Sequence, residues 1–406
     1  MNITITPGRL RGSITPPPSK SQAHRVIIGA ALAAGESVIF NVSASQDIAA
    51  TLACMKALGA NVRWEGENTV YIRGIAKKAE LPVLDCGESG STLRFLIPIA
   101  LAVAGGGEFC GRGRLMQRPQ EPYFEIFREK GIAFSRKRDT LFIKGTLTPG
   151  EYHLRGDVSS QFVTGLLYAL PLLAGDSDII LTTALESAGY IDMTIDALKT
   201  FGVTVIPTET GWHVPGNQRY ITAKAAVEAD YSQSAFFYAA KGMGNDLEIT
   251  GMNPGSKQGD RVILAYEAQL DGSGPVTLDV RECPDLVPAL AARAALRDGE
   301  VTYITNAGRL RIKESDRLAS VTDVLSRLGA DVREAPEGLT IYGKSTLPGG
   351  VTVDAWNDHR IAMMAAVAAT RCEKPITIIG AECVNKSYPE FWRDYAGLGG
   401  ILEAEE

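Results

Sequence analysis

The chain has 406 residues, 45% of them hydrophobic and 22% charged, with a formal net charge of −6. That length accommodates two domains with sizeable cores. The negative balance weighs against nucleic acid or an anionic membrane as partner, yet leaves room for a small anionic substrate in a locally basic cleft. No uncharged apolar run approaches the roughly 18 residues of a membrane-spanning helix, and no basic-then-apolar leader precedes the strand-like start at Asn2, so no targeting segment is expected. The six cysteines (Cys54, Cys86, Cys110, Cys283, Cys372, Cys383) show no C-x-x-C spacing, and the four histidines are dispersed. Reduced thiols, a cytoplasmic location and no metal site follow as expectations.

Residues 1–14 alternate as a strand through Ile3, Ile5 and Leu10. Pro16-Pro17-Pro18-Ser19-Lys20-Ser21-Gln22-Ala23-His24-Arg25 follows, then an apolar run over 26–34. The prolines lack N–H groups and bias their predecessors to extended geometry, so a helix is predicted over 19–34 and not before. Ser19 or Ser21 can cap it. A helix start offers free N–H groups and a positive dipole end to an anion. Lys20 adds a mobile charge there and Arg25 a planar fork suited to carboxylate or phosphate. A strand over 37–41, a helix over 46–58 and a hairpin over 61–64 and 69–72 complete the first period. The second runs through a helix from 92, a strand near 107–110, a helix over 121–130 and strands over 133–137 and 141–144. The third starts at 161 and takes in 179–182, 191–201, 203–207 and 211–214.

Small polar helix starts recur at Glu88-Ser89-Gly90-Ser91-Thr92, Asp157-Val158-Ser159-Ser160-Gln161, Asp230-Tyr231-Ser232, Cys283-Pro284-Asp285 and Asn357-Asp358-His359-Arg360. From Lys20 through Gly90, Ser160, Ser232, Asp285 and His359 the steps are about 70, 70, 72, 53 and 74 residues, an internal repeat. Taken singly, each start reads as an ordinary N-cap on a core helix. The regular spacing and the added Lys, Arg and His point instead to one supersecondary unit used six times, three copies in each of two similar domains divided near 226–230. Ligands favour a cleft between domains.

Further charge lies at Arg94, at Arg118-Pro119 after the loop Gly111-Arg112-Gly113-Arg114, in Arg309-Leu310-Arg311-Ile312-Lys313-Glu314-Ser315-Asp316-Arg317, and at Lys386. Alone, the 309–317 run reads as a solvated helix face with pairs such as Lys313–Asp316 or Glu314–Arg317.

Pro17-x-Ser19-Lys20-Ser21 with Arg25, Gly90-Ser91-Thr92-Leu93-Arg94, Arg118-Pro119, Ser159-Ser160-Gln161, Lys313-Glu314-Ser315-Asp316-Arg317 and Asn357-Asp358-His359-Arg360 together resemble the 5-enolpyruvylshikimate-3-phosphate synthases. The matches run from residue 17 to Lys386 in the family's order. The resemblance implies the α/β (α+β) enolpyruvyl transferase fold, an inside-out barrel of two similar domains, each of three βαβαββ repeats. The domains would be 19–227 and 1–18 with 228–406, with the active site in the cleft between them.

The implied reaction transfers the enolpyruvyl group of phosphoenolpyruvate to the 5-hydroxyl of shikimate 3-phosphate through a tetrahedral intermediate, in the route to chorismate and aromatic amino acids. No cofactor or metal is implied, the partners are the two small-molecule substrates, and a monomer is expected. By resemblance, Ser159, Ser160, Ser187 and Tyr190 hold the shikimate phosphate, and Ser21 and Arg25 its carboxylate. Gln161 lies along the ring. Lys20, Gly90, Arg118, Gln161, Arg317, Arg360 and Lys386 form the phosphoenolpyruvate side. Asp285, with Lys313 beside it, contacts and deprotonates the 5-hydroxyl. Glu314, with Lys20 or His359, handles the proton at the methylene carbon. Lys20 also borders the shikimate 3-phosphate site. Gly90 would admit the inhibitor glyphosate.

The chain leaves the family pattern at Glu88 and Arg309, where the family usually has Asn. A carboxylate at 88 is expected to turn from the anionic pocket and pair with a cation such as Arg94. Two other readings remain. A UDP-N-acetylglucosamine enolpyruvyl transferase would carry a cysteine five residues before Arg118, where this chain has Gly113. A non-catalytic phospho-ligand binder would gain nothing from retaining both Asp285 and Glu314.

Overall fold

The computed structural model describes residues 1–77 and 79–405. Among the described residues twelve α-helices come in six pairs: α1 (Lys20–Leu32) and α2 (Gln46–Ala57), α3 (Gly90–Ala104) and α4 (Glu121–Lys130), α5 (Ser160–Ala169) and α6 (Ala188–Thr200), α7 (Tyr231–Gly242) and α8 (Ile263–Leu270), α9 (Val287–Ala295) and α10 (Arg317–Leu328), α11 (His359–Ala369) and α12 (Phe391–Gly397). The chain divides into two compact units, Pro18–Glu228 and Met1–Pro17 together with the chain from Ala229 onward. Among the described residues no helix is long and apolar enough to cross a membrane.

Within Pro18–Glu228, the second repeat shows the building plan. Val83–Asp85 pairs in parallel with Gly106–Cys110, which pairs antiparallel with Thr140–Lys144, and that strand with Ala133–Arg136. The parallel pair needs a crossover, which α3 supplies, whereas the antiparallel pair needs only a short turn. The third repeat copies the order with Gly150–Leu154, Ser177–Leu181, Gly211–Val214 and Ile206–Pro207. In the first repeat the opening strand comes from the far end of the unit, because Lys224–Ala226 pairs in parallel with Glu36–Phe40. The predicted strand over 203–207 is reduced to Ile206–Pro207.

The other unit closes in the same circular way. The stretch predicted as one strand over 1–14 is two, Asn2–Thr6 and Arg11–Ile14, separated at Pro7-Gly8. Asn2–Thr6 lies antiparallel between Ile376–Ile379 and Ile401–Glu405 and completes the sixth repeat, with Ile3 and Ile5 buried. Arg11–Ile14 pairs in parallel with Asp246–Ile249 and opens the fourth.

The fourth repeat ends after its second helix, without the terminal hairpin. This accounts for the short step of about 53 residues to Asp285. Two arginines cover the chain there. Arg297 donates to the carbonyls of Leu270 (2.8 Å), Gly272 (2.8 Å) and Gly274 (3.1 Å), and to Thr302 Oγ1 (2.9 Å). Arg293 reaches Asp271 (2.8 Å) and Glu267 (3.3 Å). These contacts satisfy C-terminal carbonyls of α8 and its exit that have no helical partner.

A proline sets the packing of α3 on α5. Pro98 has no N–H, so the carbonyl of Arg94, four residues earlier, has no helical donor. The Tyr123 hydroxyl donates to it at 2.7 Å and is shared with the Phe162 carbonyl at 3.0 Å. Gly165 on α5 makes room, since a Cβ there would lie 2.6 Å from the Arg94 carbonyl oxygen and 2.3 Å from Tyr123 Oη.

Two stability outcomes are expected. Tyr123→Phe strands a buried carbonyl and should lower unfolding free energy by about 1–3 kcal/mol, measured by urea denaturation. Glu267 has its carboxyl pushed up to about 7, first by burial and then by Asp271, with Arg293 opposing. A raised carboxyl contributes stability that is full below the unfolded value of about 4.5 and lost as pH rises through the folded one. Between pH 5 and 8 the urea midpoint of the wild type should therefore fall relative to that of Glu267→Gln.

Candidate active site

In Pro18–Glu228 the helix starts are capped as the sequence suggests. Of the two candidates for α1, Ser19 is the N-cap and accepts from the Gln22 N–H at 3.4 Å. Ser89 accepts from Thr92 on α3 at 3.1 Å, and Ser159 from Gln161 on α5 at 3.3 Å. Lys20 opens α1 and places Nζ 2.7 Å from Asp47 Oδ2 in the first turn of α2, both side chains being largely buried.

Arg25 is 2% exposed. It donates to Thr194 Oγ1 (2.9 Å) and to the carbonyls of Ser21 (2.6 Å) and Tyr190 (2.9 Å), while its guanidinium lies 5.2 Å from the Phe95 ring centroid and 5.9 Å from that of Tyr190. Burial brings its pKa down to about 10, which still leaves it cationic at neutral pH. The structure thus brings Ser21, Arg25 and Tyr190 together. Ser187 is buried at the N-cap of α6 with φ +61°, a left-handed conformation uncommon outside glycine, and it turns the chain immediately before Tyr190.

Gly90 and Arg118 are in contact: a Cβ at residue 90 would lie 2.6 Å from Arg118 Nη1 and 3.0 Å from Cζ. Gln161 is held from both sides, its Oε1 accepting from Arg94 (2.8 Å) and its Nε2 donating to Ser91 (3.0 Å). Arg94 also donates to the Pro119 carbonyl at 3.0 Å and stacks over Phe162 at 4.8 Å. Ser160 is buried in the first turn of α5. Glu88 extends toward the loop that precedes Arg118, where a Cβ on Gly113 would meet its Oε2 at 2.5 Å.

The other unit is built around Arg317, 1% exposed at the start of α10. Its Nε donates to Asp358 Oδ2 (2.8 Å), Nη1 to Asp285 Oδ1 (2.7 Å) and Nη2 to Glu314 Oε2 (2.7 Å). Burial alone would lower its pKa, but Asp358, Glu314 and Asp285 outweigh that and hold it well above the usual range. Asp285 sits in a single turn, Pro284–Leu286, ahead of α9. Its carboxylate also meets Lys313 Nζ at 3.5 Å and Arg360 Nη2 at 3.2 Å, and its carbonyl accepts from Arg360 Nη1 at 3.2 Å. The solvated helix face considered for 309–317 is therefore not formed. Gly308–Ile312 is a 3₁₀ segment, Lys313 meets Asp285, and the Glu314–Arg317 pair joins a buried guanidinium to a partly buried carboxylate. The short sequence separation fitted either arrangement, and only the tertiary partners Asp285 and Asp358 decide it.

Asp358 is fully buried, caps α11 by accepting the Arg360 N–H at 3.0 Å, and accepts the Ser315 hydroxyl at 3.0 Å. His359 Nδ1 lies 3.8 Å from Asp358 Oδ1. Lys386, 4% exposed, donates to the Asn357 carbonyl at 2.6 Å.

Three carboxylates here escaped the sequence reading as individual actors. Asp47 and Asp358 carry the signal of N-terminal helix acids, which does not distinguish a cap from an ion-pair partner. Asp260, 4% exposed in the 3₁₀ segment Gly259–Val262, has no local signal at all. Its carboxyl is pushed up to about 7 by burial and then by Asp285, with Arg360 pulling the other way. Cys110, the thiol nearest in sequence to Arg118, is raised by burial and then by Asp85, the opposite of what a nucleophilic thiol requires. Among the described residues no group of three or more His, Cys, Asp or Glu is arranged to hold a metal ion.

This geometry of capped helix starts, desolvated guanidiniums and two clustered acids has relatives. The family model described as EPSP synthase (3-phosphoshikimate 1-carboxyvinyltransferase) matches residues 5–395. A 3-phosphoshikimate 1-carboxyvinyltransferase from Clostridium perfringens (strain 13 / Type A) is 46% identical, with 99% of each chain covered. One from Clostridium acetobutylicum is 45% identical over 98% of this chain and 97% of its own. Among solved structures, an EPSP synthase from Acinetobacter baumannii superposes with a TM-score of 0.81 at 25% identity over the whole of both chains. The enolpyruvyl transferase NikO from Streptomyces tendae shares the fold with a TM-score of 0.77 at 18% identity. The chain belongs to the EPSP synthase (3-phosphoshikimate 1-carboxyvinyltransferase) family.

Proposed function

We infer that this enzyme joins the 5-oxygen of shikimate 3-phosphate to C2 of phosphoenolpyruvate and then breaks the C2–O bond to phosphate, leaving the enolpyruvyl ether and releasing phosphate. The reading is supported by the family match over residues 5–395 and by relatives of the same name at 44–46% identity. Those names leave no support for the UDP-N-acetylglucosamine alternative, and the raised Cys110 thiol agrees. In this proposal the enzyme acts in the cytoplasm as a monomer on two small anions, without nucleic acid or membrane.

The roles follow the chemistry of each group. The observation that carries them is the Asp285 carboxylate, exposed enough to meet a ligand (19%) yet fixed by Arg317, Arg360 and Lys313. It is the base that takes the 5-hydroxyl proton. Fixed dipoles and cations around a base and its oxyanion need little reorganisation as charge moves. Glu314, oriented through Arg317, hands a proton to the methylene carbon as the tetrahedral intermediate forms and takes one back as phosphate leaves, with Lys20 or His359 assisting. Arg118, Arg317, Arg360, Lys386 and Lys20 balance the phosphate and carboxylate of phosphoenolpyruvate, and Gly90 leaves that anion room. Ser159, Ser160, Ser187 and Tyr190 take the shikimate phosphate, Ser21 and Arg25 the shikimate carboxylate, and Gln161 the ring.

Two kinetic outcomes test this assignment. Asp285→Asn should lower kcat by about 10² or more without raising KM for phosphoenolpyruvate, since removing an anion leaves the three cations freer to bind another. A kcat within a few-fold of wild type in steady-state phosphate release would move the base elsewhere. Gly90→Ala introduces a Cβ 2.6 Å from Arg118 and must shift that guanidinium. It should weaken glyphosate more than phosphoenolpyruvate, read as the ratio of Ki to KM, and an unchanged ratio would take Gly90 out of the pocket.

A further inference from the structure

One buried polar chain in Pro18–Glu228 has no part in the roles assigned above. His24 is fully buried on α1, and its Nδ1 lies 2.7 Å from Thr51 Oγ1 on α2. Thr51 Oγ1 lies 2.6 Å from Thr92 Oγ1 on α3, and Thr92 Oγ1 donates to the α3 cap Ser89 Oγ at 2.7 Å. With Thr92 donating to Ser89, Thr51 donates to Thr92, and His24 donates through Nδ1–H to Thr51. His24 Nε2 is then a bare acceptor, and it is the ring nitrogen with no hydrogen-bond partner. The reverse direction would leave a buried N–H orphaned instead, the costlier alternative. Burial, then Lys20 and Arg25, hold the His24 pKa well below its ordinary value, so the ring stays neutral and the chain keeps one direction at working pH.

The spacing of this chain is informative. His24 follows Lys20 by one helical turn on α1, Thr51 follows Asp47 by one turn on α2, and Thr92 follows Gly90 in the first turn of α3. The His24–Thr51 bond thus lies one turn beneath the Lys20–Asp47 pair, and the Thr51–Thr92 bond ties it to the start of α3, which carries Gly90. Two short hydrogen bonds between helices, His24–Thr51 and Thr51–Thr92, fix the stagger of α1, α2 and α3, and the Thr92–Ser89 bond anchors the end of the chain at the α3 cap.

We propose that Thr51 is a positioning residue for phosphoenolpyruvate, acting through the His24–Thr51–Thr92–Ser89 chain to hold Lys20 and Gly90 in register. The proposal rests on the reading of Lys20, Gly90 and Arg118 as the phosphoenolpyruvate side. Thr51→Val keeps shape and removes the hydroxyl, and a small misplacement of cations costs affinity steeply. In steady-state kinetics of the full-length enzyme, Thr51→Val should raise KM for phosphoenolpyruvate about tenfold and move KM for shikimate 3-phosphate, whose site Lys20 only borders, by much less. Thr51→Ser should restore the wild-type value. Thr92→Val, cutting the chain at its other hydroxyl, should reproduce the selective effect and guards against a folding defect peculiar to one variant. Equal changes in both KM values, or no rescue by Ser, would reduce Thr51 to a structural residue and overturn the proposal. Gly90→Ala run in parallel separates the two readings. If it raises KM for phosphoenolpyruvate while Thr51→Val does not, the proposal fails and the site assignment stands. If neither variant moves that constant, the proposal fails, and the assignment falls with it only where Gly90→Ala also leaves the ratio of glyphosate Ki to KM unchanged.

Discussion

The burial of the Arg317 guanidinium is the constraint on which the second unit's chemistry depends. A cation taken out of water is costly unless each of its donors meets an acceptor. Here Asp358, Asp285 and Glu314 each take one of its nitrogens. Those carboxylates come from three separate places, the start of α11, the turn before α9 and the segment before α10. Satisfying one arginine therefore fixes Asp285 and Glu314 relative to each other. Arg360 and Lys313 add charge around Asp285, so the site's anions and cations are matched before any substrate arrives.

The first unit reaches order by a different route. Two of its buried guanidiniums meet neutral acceptors and aromatic faces: Arg25 meets Thr194, the carbonyls of Ser21 and Tyr190 and the Phe95 ring, and Arg94 meets Gln161, the Pro119 carbonyl and the Phe162 ring. Neutral acceptors fix the direction of a guanidinium without cancelling its charge, which leaves Arg25 a net attraction for an anion. In the second unit Arg317 is compensated by three carboxylates, and those acids are positioned through it.

The fourth repeat shows how a repeat closes without a terminal hairpin. Arg297 and Arg293 cover the end of α8 through carbonyls and carboxylates of that helix and its exit. Glu267 there has a carboxyl pushed up to about 7, a buried acid whose proton is part of the stability balance.

Much of the fold was legible in the sequence because repetition and capping are local signals. The step of about 70 residues, the Ser and Asp caps and the apolar runs behind them are written in consecutive residues, and the helices start within a few residues of those marks. Motifs such as Lys313-Glu314-Ser315-Asp316-Arg317 likewise contain residues that the fold gathers around Asp285 and Arg317. What tertiary structure alone decided was partnership. Whether Lys313 pairs with Asp316 or Asp285, whether Arg317 faces water or three carboxylates, that Asn2–Thr6 completes the last repeat, and that Asp260 lies in the field of Asp285 all depend on residues far apart in the chain. The physical reason is that a charge's neighbours within a few ångströms set its energy, and a linear sequence specifies only those within a few residues.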